Sequence, residues 1–222
     1  MSGAGVDVAG RARRVRLTVG VLLGGISLLL GLFVRQFVGP ERLDPRWLRD
    51  HGAVLFDTPR PLARQQLQDQ DGDAFDGSGF AGRWNVLFFG FTHCPDVCPT
   101  TLALLAEVAA RLPADAALAP RFWLVTVDPE RDTPALLAPY VRHFDPRFGT
   151  LGGDPQAVQR FAAALSVPFA RRDLPAGGYT MDHSANLLLI DPLGRFAGFV
   201  TPPLERERLV RLLAVLGRHA PR

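Results

Sequence analysis

Residues 84–99 read Trp84-Asn85-Val86-Leu87-Phe88-Phe89-Gly90-Phe91-Thr92-His93-Cys94-Pro95-Asp96-Val97-Cys98-Pro99. The first eight are mostly aromatic, aliphatic or β-branched and predict a buried strand. From residue 99 to 110, apolar side chains recur at helical spacing, and a proline is well tolerated in the first turn of a helix. The two cysteines of the chain therefore lie in a strand-to-helix turn.

The spacing of Cys94 and Cys98 indicates thiolate chemistry. At a helix N-terminus, unpaired backbone N–H groups and the helix dipole favour the thiolate form. If the helix has begun by Val97, positions i and i+4 bring both sulfurs to one face, where they could share a metal ion or close a small disulfide ring. A structural zinc site needs four protein ligands, and the chain has no other cysteine. Two thiolates and one imidazole instead suit a soft ion such as Cu(I). The alternative is a pair of small buried side chains.

The N-terminal region predicts a membrane anchor. No charged residue occurs from Leu17 to Val34, and at about 1.5 Å per residue this helix would span roughly 27 Å, close to the hydrocarbon thickness of a bilayer. Arginines precede it, which places the N-terminus in the cytoplasm and the rest of the chain outside. We expect a basic tail (1–16), a transmembrane helix (17–35), a tether (36–48) and one domain (49–222). A cleaved signal peptide is the alternative, although no small-x-small site follows the apolar run.

The charge distribution argues against nucleic-acid binding, despite a sequence pI of about 9.5. Residues 1–35 contain five arginines and one aspartate, a net charge of +4, whereas the whole chain carries +3. The remaining residues therefore have a net charge of about −1. The basic excess is a membrane-orientation signal.

The rest of the chain alternates between strand and helix patterns, which predicts an α/β fold with a mixed central sheet flanked by helices. Ahead of the cysteine turn, we expect a solvated turn at 69–73. After it, Thr133 is expected to cap the helix that begins at Pro134. The predicted elements are strands at 53–56, 62–67, 122–127 and 148–151, helices at 134–144, 155–165 and 204–216, and a hairpin formed by 186–190 and 196–200.

A third metal ligand would have to come from one of five histidines. His93 directly precedes Cys94, and adjacent side chains tend to point apart. His183 lies in the segment 182–185, just before the predicted strand 186–190, and could approach the cysteine turn if both strands belong to one sheet. An equal alternative is a turn histidine bonded to a neighbouring backbone group. The others are expected to be solvated or on a helix surface: His51, His143 and His219.

Three separate motifs, together with the anchor, resemble the Sco/SenC family of membrane-tethered, thioredoxin-fold copper proteins. The resemblance covers nearly the whole chain and implies a thioredoxin-like fold. It implies that copper, as Cu(I) or Cu(II), binds to Cys94, Cys98 and His183, and that Asp128 lies beside the metal loop. Asp96, between the cysteines, is a second candidate for a residue around the ligands. The motifs are Gly90-Phe91-Thr92-His93-Cys94-Pro95-Asp96-x-Cys98-Pro99, Asp128-Pro129-Glu130-Arg131-Asp132-Thr133-Pro134 and Asp182-His183-Ser184-Ala185.

The resemblance implies a copper metallochaperone that delivers copper to the dinuclear copper centre of cytochrome c oxidase. Its partners would be the copper-site subunit of the oxidase and other periplasmic copper chaperones, and its location the bacterial inner membrane, with the domain on the periplasmic side. The alternative is a thiol–disulfide oxidoreductase that reduces the oxidase cysteines, with Cys94 attacking and Cys98 resolving through a Cys94–Cys98 disulfide. The discriminating residue is His183, since copper delivery needs it and thiol exchange does not.

Overall fold

The computed structural model describes residues 8–37, 43–113 and 119–219. The chain divides into two compact units, residues 1–42 and 43–222. Within the first unit, helix α1 (Val8–Phe37) covers the predicted membrane segment. Among the described residues, no helix combines the length and the apolar composition that crossing a bilayer requires. Residues 1–7 of the predicted tail and 38–42 of the predicted tether lie outside the described residues.

The second unit alternates strands and helices, as the sequence pattern predicts. It opens with a short helix, α2, and includes one turn of 3-10 helix at Ser78–Phe80. The elements in chain order are α2 (Pro45–Asp50), β1 (Ala53–Pro61), β2 (Leu67–Gln68), β3 (Ala74–Phe75), β4 (Asn85–Gly90), α3 (Val97–Arg111), β5 (Arg121–Thr126), α4 (Pro134–Arg142), β6 (Gly149–Leu151), α5 (Pro155–Ala164), β7 (Phe169–Asp173), β8 (Tyr179–His183), β9 (Leu187–Ile190), β10 (Arg195–Val200) and α6 (Arg206–Arg218).

A six-stranded mixed sheet is the centre of this unit, in the order β1-β10-β9-β4-β5-β6. Strands β4, β5 and β6 are parallel, whereas β9 runs antiparallel to β4. All residues of β4 and β9 are buried. Strands covered on both faces need continuous apolar runs rather than alternation, which explains why they were recognisable in the sequence.

The sheet brings distant parts of the chain to one end. Strand β4 runs toward Gly90, which pairs with Thr126 at the end of parallel β5. Because β9 is antiparallel, its first residue, Leu187, pairs with Phe88 near the end of β4. The cysteine turn after β4, the loop after β5 and the segment before β9 therefore share one edge of the sheet.

Helices α3 and α6 pack against each other and against the core. The buried residues of α3 recur at helical spacing, and α6 buries a leucine stripe. Ion pairs on the surface join the two helices, between Arg111 and Glu207 at 2.5 Å and between Arg206 and Glu107. Exposed pairs of this kind contribute little to stability, so burial of the apolar faces holds the helices in place.

Several local predictions were wrong. The expected strand at 62–67 is a strand only from Leu67, and the last residues of the expected tether form α2, with Leu48 buried. The prediction that Thr133 is the N-cap residue of α4 was correct, although its side chain makes no hydrogen bond to the helix. The hairpin of β7 and β8 was missed altogether. The turn at 69–73 was correct, with the Asp69 carboxylate accepting hydrogen bonds from the N–H groups of Asp71 and Asp73.

Candidate metal centre

The turn between β4 and α3 places the two cysteines in different environments. Cys94 lies ahead of the helix and is half-buried, whereas Cys98 lies in the first helical turn and is fully buried. Both are free thiols. The backbone N–H of Cys98 points to the sulfur of Cys94 at 3.4 Å, which is the donor that a negatively charged sulfur needs.

Gly90 makes room for the buried sulfur. A Cβ atom at this position would lie 2.9 Å from Sγ of Cys98, closer than side-chain carbons approach other atoms. The last residue of β4 is therefore glycine because the neighbouring volume holds the thiol.

His183 ends strand β8 with its imidazole directed at the cysteines. Its Nε2 lies 3.6 Å from Sγ of Cys98, and its Nδ1 lies 3.0 Å from the carbonyl oxygen of Ser184. Since a carbonyl only accepts, Nδ1 holds the proton and the Nε2 lone pair faces the sulfurs, as in metal-binding histidines. The ring packs edge-on against Phe88 and Phe91, with centroids 6.0 and 5.8 Å away. Burial lowers the pKa of His183, which favours the neutral, ligating form.

The ligand atoms of Cys94, Cys98 and His183 all lie within 4.8 Å of one another. Within the described part of the chain, this is the only group of three or more histidine, cysteine or acidic side chains arranged to hold a metal ion. Two donors bonded to one ion at about 2.0–2.3 Å lie roughly 3.5–4 Å apart, which matches the spacing of Cys98 and His183. Two sulfurs and one imidazole nitrogen fit a soft ion of low coordination number.

Burial raises the pKa of the Cys98 thiol above its ordinary value of 9.0. The folded protein therefore keeps this proton at a pH where the unfolded chain loses it. Raising the pH in this range consequently lowers the free energy of unfolding. The stabilisation is complete below pH 9 and declines as the pH rises toward the folded-state pKa. We expect the metal-free, reduced protein to lose about 1 kcal/mol of unfolding free energy between pH 8 and 10 through this group.

Denaturant unfolding at both pH values tests this dependence. Cys98→Ala is the matched comparison, because it removes the titrating group and keeps the rest of the charge distribution. A pH slope in Cys98→Ala equal to that of the wild type would contradict the prediction.

Asp132 holds the cysteine turn in place. Its buried carboxylate accepts hydrogen bonds from the backbone N–H of Thr92 at 3.1 Å, from Oγ1 of Thr92 at 2.5 Å and from Oγ1 of Thr126 at 2.7 Å. These contacts join the residue two positions before Cys94 to the end of β5. This role of Asp132 was not predicted from the sequence. Its only signal was the position of Asp132 inside the acidic motif after β5.

The two acidic residues expected around the ligands have other contacts. Asp128 is buried, but its carboxylate accepts hydrogen bonds from the Tyr179 hydroxyl at 2.9 Å and from Nε of Arg131 at 2.5 Å. Asp96 is exposed at the N-cap position of α3, and its carboxylate accepts a hydrogen bond from Oγ1 of Thr100 at 3.4 Å. Asp128 is therefore connected to the hairpin that carries His183.

The other histidines lie away from the cluster. His93 is exposed, with Nδ1 3.0 Å from Oγ1 of Thr92 and 3.9 Å from Asp132. His143 is exposed at the end of α4, as expected. The expectation that His51 and His219 are solvated was wrong, because both are half-buried and contact backbone carbonyls at 2.8 and 2.9 Å.

Comparison with known proteins places this architecture in a family. Residues 59–216 match the sequence model of the family described as SCO1/SenC. The chain belongs to the SCO1/SenC family. Among its relatives, a candidate copper-binding protein of Stutzerimonas stutzeri is 39% identical over 173 residues, covering 77% of this chain and 84% of the relative. A SCO2-like protein of Rickettsia felis is 33% identical over 174 residues, with the same two coverages.

Solved SCO1/SenC structures share the fold. The crystal structure of Arabidopsis thaliana ScoI with copper bound has a TM-score of 0.66 and 29% identity, covering 70% of this chain and 97% of that one. Bradyrhizobium japonicum ScoI with copper bound has a TM-score of 0.63 and 35% identity, covering 70% and 99%. The predicted family and the thioredoxin-like α/β fold are thereby confirmed.

Proposed function

We propose that this SCO1/SenC protein binds one copper ion through Cys94, Cys98 and His183 and passes it to a partner. The proposal is carried by one observation: three donor atoms of the softness that copper prefers converge within 4.8 Å from two separate parts of the chain. Relatives with 29% and 35% identity have been solved with copper bound. The copper is cargo, so the site has to release it as well as bind it.

The unequal burial of the ligands supports transfer. Cys98 is fully buried, whereas Cys94 and His183 are half-buried. An incoming partner ligand can therefore reach the copper from the side of Cys94 before the buried Cys98 releases it. A three-coordinate ion has room for such a fourth ligand, so exchange need not pass through a free ion.

The copper-site subunit of cytochrome c oxidase is the acceptor we propose, with its dinuclear copper centre as the destination and other periplasmic copper chaperones as sources. From the uncharged run 17–34 and the arginines that precede it, rather than from the structure, we also propose that residues 17–35 anchor the protein in the bacterial inner membrane, with the domain on the periplasmic side. Confining donor and acceptor to one membrane surface raises their effective concentration.

A second candidate function is reduction of the oxidase cysteines by thiol–disulfide exchange. The pairing of an accessible Cys94 with a buried Cys98 favours it, since these are the positions of an attacking and a resolving thiol. The raised pKa of Cys98 opposes it, because the resolving step needs a thiolate and burial makes that form rare. A copper ion, in contrast, displaces the proton on binding.

Replacing His183 with alanine is expected to separate the two functions. Loss of residues that merely orient metal ligands costs about 10- to 100-fold in affinity, so loss of a ligand should weaken Cu(I) binding by about 100-fold or more. Anaerobic Cu(I) titration of the full chain against a competing chelator measures this, with thiol counts followed in parallel. The matched control is His93→Ala, which removes a histidine next to Cys94 that lies outside the cluster. Unchanged copper affinity in His183→Ala, with disulfide reductase activity intact, would favour the redox function.

A further inference from the structure

The hairpin that carries His183 is separate from the main sheet. Among the residues that the structure describes, strands β7 and β8 pair only with each other, with Phe169 opposite His183 and Asp173 opposite Tyr179. Four of the five β7 residues are exposed. Alternate residues of a strand share a face, and on β8 the half-buried Tyr179 and Met181 lie on the same face as His183. The position of the imidazole therefore depends on how this face of the hairpin is attached to the rest of the domain.

One end of the hairpin is attached by a polar cluster formed by Asp128, Arg131 and Tyr179, here called the tyrosine latch. The Tyr179 hydroxyl donates to Oδ1 of Asp128 at 2.9 Å, and Nη1 of Arg131 donates to the Tyr179 carbonyl oxygen at 3.2 Å. Nε of Arg131 donates to Oδ2 of the same aspartate at 2.5 Å. Both the side chain and the backbone of Tyr179 are thus bonded to the loop that follows β5.

The ring of Tyr179 is also held between two guanidinium groups. The Cζ atoms of Arg131 and Arg171 each lie 3.8 Å from its centroid. Two guanidinium groups cannot both occupy one face at this distance, so they stack on opposite faces. One belongs to the loop after β5 and the other to strand β7, so the ring joins the hairpin to the body of the domain. Charge-assisted hydrogen bonds and cation–π stacking are both stronger than neutral contacts at such partly buried sites.

The far end of the hairpin is the metal ligand itself. Tyr179 and His183 are four residues apart on one strand face, and His183 packs against Phe88 and Phe91. We propose that Tyr179 is a positioning residue: through the tyrosine latch it keeps His183 within bonding distance of the cysteine sulfurs before metal arrives. This inference rests on the proposed copper-binding function and goes beyond it, because Tyr179 itself contacts no ligand atom.

The physical consequence is a population effect. If the latch opens, the hairpin spends part of its time with the imidazole away from the sulfurs. The apparent copper affinity is then the affinity of the complete site multiplied by the fraction of time that the site is complete. The two cysteines lie on a different element, tied down by Asp132, so their reactivity should not change. If Tyr179 only stabilised the fold, its replacement would lower the stability of the domain and would not reduce copper affinity separately from cysteine reactivity.

Tyr179→Phe tests the proposal with the smallest change. It removes the hydroxyl bonded to Asp128 and keeps the ring that both arginines stack on. The matched control is Arg172→Gln, which breaks an exposed ion pair with Asp182 inside the hairpin. We expect Tyr179→Phe to weaken Cu(I) binding by the full chain about tenfold, as for other residues that orient a metal ligand. The control should stay within twofold of the wild type, and thiol counts should be equal in all three proteins.

Hydrogen exchange on the metal-free protein tests the latch independently of copper. The amides of β8 should exchange about tenfold faster in Tyr179→Phe than in the wild type, whereas those of β4 should be unchanged, because a hydrogen bond to a carboxylate has been lost at one place only. Unchanged β8 exchange, or copper affinity equal to that of Arg172→Gln, would overturn the proposal. If the wild type bound no copper while β8 exchange still rose, the proposed function would fail and the latch would stand.

Discussion

Cys98→Ser should lose almost all capacity to retain copper. Serine is a hard oxygen donor whose hydroxyl is not deprotonated near neutral pH, so the soft ion would keep only Cys94 and His183. The buried sulfur also lies 3.6 Å from Nε2 of His183. We expect Cu(I) affinity to fall by about a thousandfold or more.

Competition with a Cu(I)-specific chelator under anaerobic conditions measures this loss. Cys98→Ala serves as a second variant, because it avoids burying a hydroxyl and separates the lost ligand from any lost stability. Circular dichroism and thermal unfolding should show that both variants are folded. Retention of one equivalent of copper by either folded variant, at wild-type affinity, would contradict the assignment of Cys98 as a ligand.

Asp132→Ala should lower the free energy of unfolding much more than replacement of an exposed acidic residue does. Without the carboxylate, the backbone N–H of Thr92 and the hydroxyls of Thr92 and Thr126 lose their acceptor in or near the buried interior. Each unsatisfied buried polar group costs about 1–3 kcal/mol, so a total of about 3 kcal/mol or more is expected. The cysteine turn would also lose its fixed position.

Guanidinium unfolding of the metal-free protein measures the stability, and the rate at which Cys94 reacts with a thiol reagent reports the turn. Asp73→Ala, an exposed carboxylate on a surface turn, is the matched control and should change stability by less than about 0.5 kcal/mol. An Asp132→Ala protein that is as stable as this control would show that the network is not needed to hold the turn.

The main sheet and its helices could be predicted because their sequence signals are local and apolar. Strands β4, β5 and β9 are buried on both faces and read as uninterrupted apolar runs, and the helices alternate with them. The hairpin of β7 and β8 has no such signal. Its strands are polar, and the stacking on Tyr179 that attaches it to the domain is revealed only by the folded arrangement. Gly177 and Gly178, both with positive φ, were the one available hint of its turn.

The metal centre was only partly predictable from the residues. The spacing of Cys94 and Cys98 predicted a shared face, and α3 does begin at Val97. For His183, two interpretations were equal in weight: a metal ligand, or a turn histidine bonded to backbone. The structure combines them, because Nδ1 bonds the Ser184 carbonyl and thereby leaves Nε2 for the sulfurs. The family resemblance, not the local pattern, selected this residue.

The roles of the acidic residues could not be predicted from sequence position. Asp128 and Asp132 lie four residues apart in one motif, yet Asp132 supports the cysteine turn and Asp128 is bonded to Tyr179 of the hairpin. Which carboxylate reaches which partner depends on the tertiary path of the loop after β5. A one-dimensional pattern contains no information about that path.

The large sequence separation between the cysteines and His183, which the pairing of β9 with β4 bridges, has a consequence for biosynthesis. His183 follows Cys98 by 85 residues, and a ribosome adding about 5–20 residues per second needs roughly 4–17 s to make that stretch. During this interval the nascent chain already exposes both thiols but has no imidazole to complete the site. Metal loading must therefore follow completion of nearly the whole polypeptide. Until then, the nascent chain depends on its surroundings to keep the two cysteines from forming a disulfide.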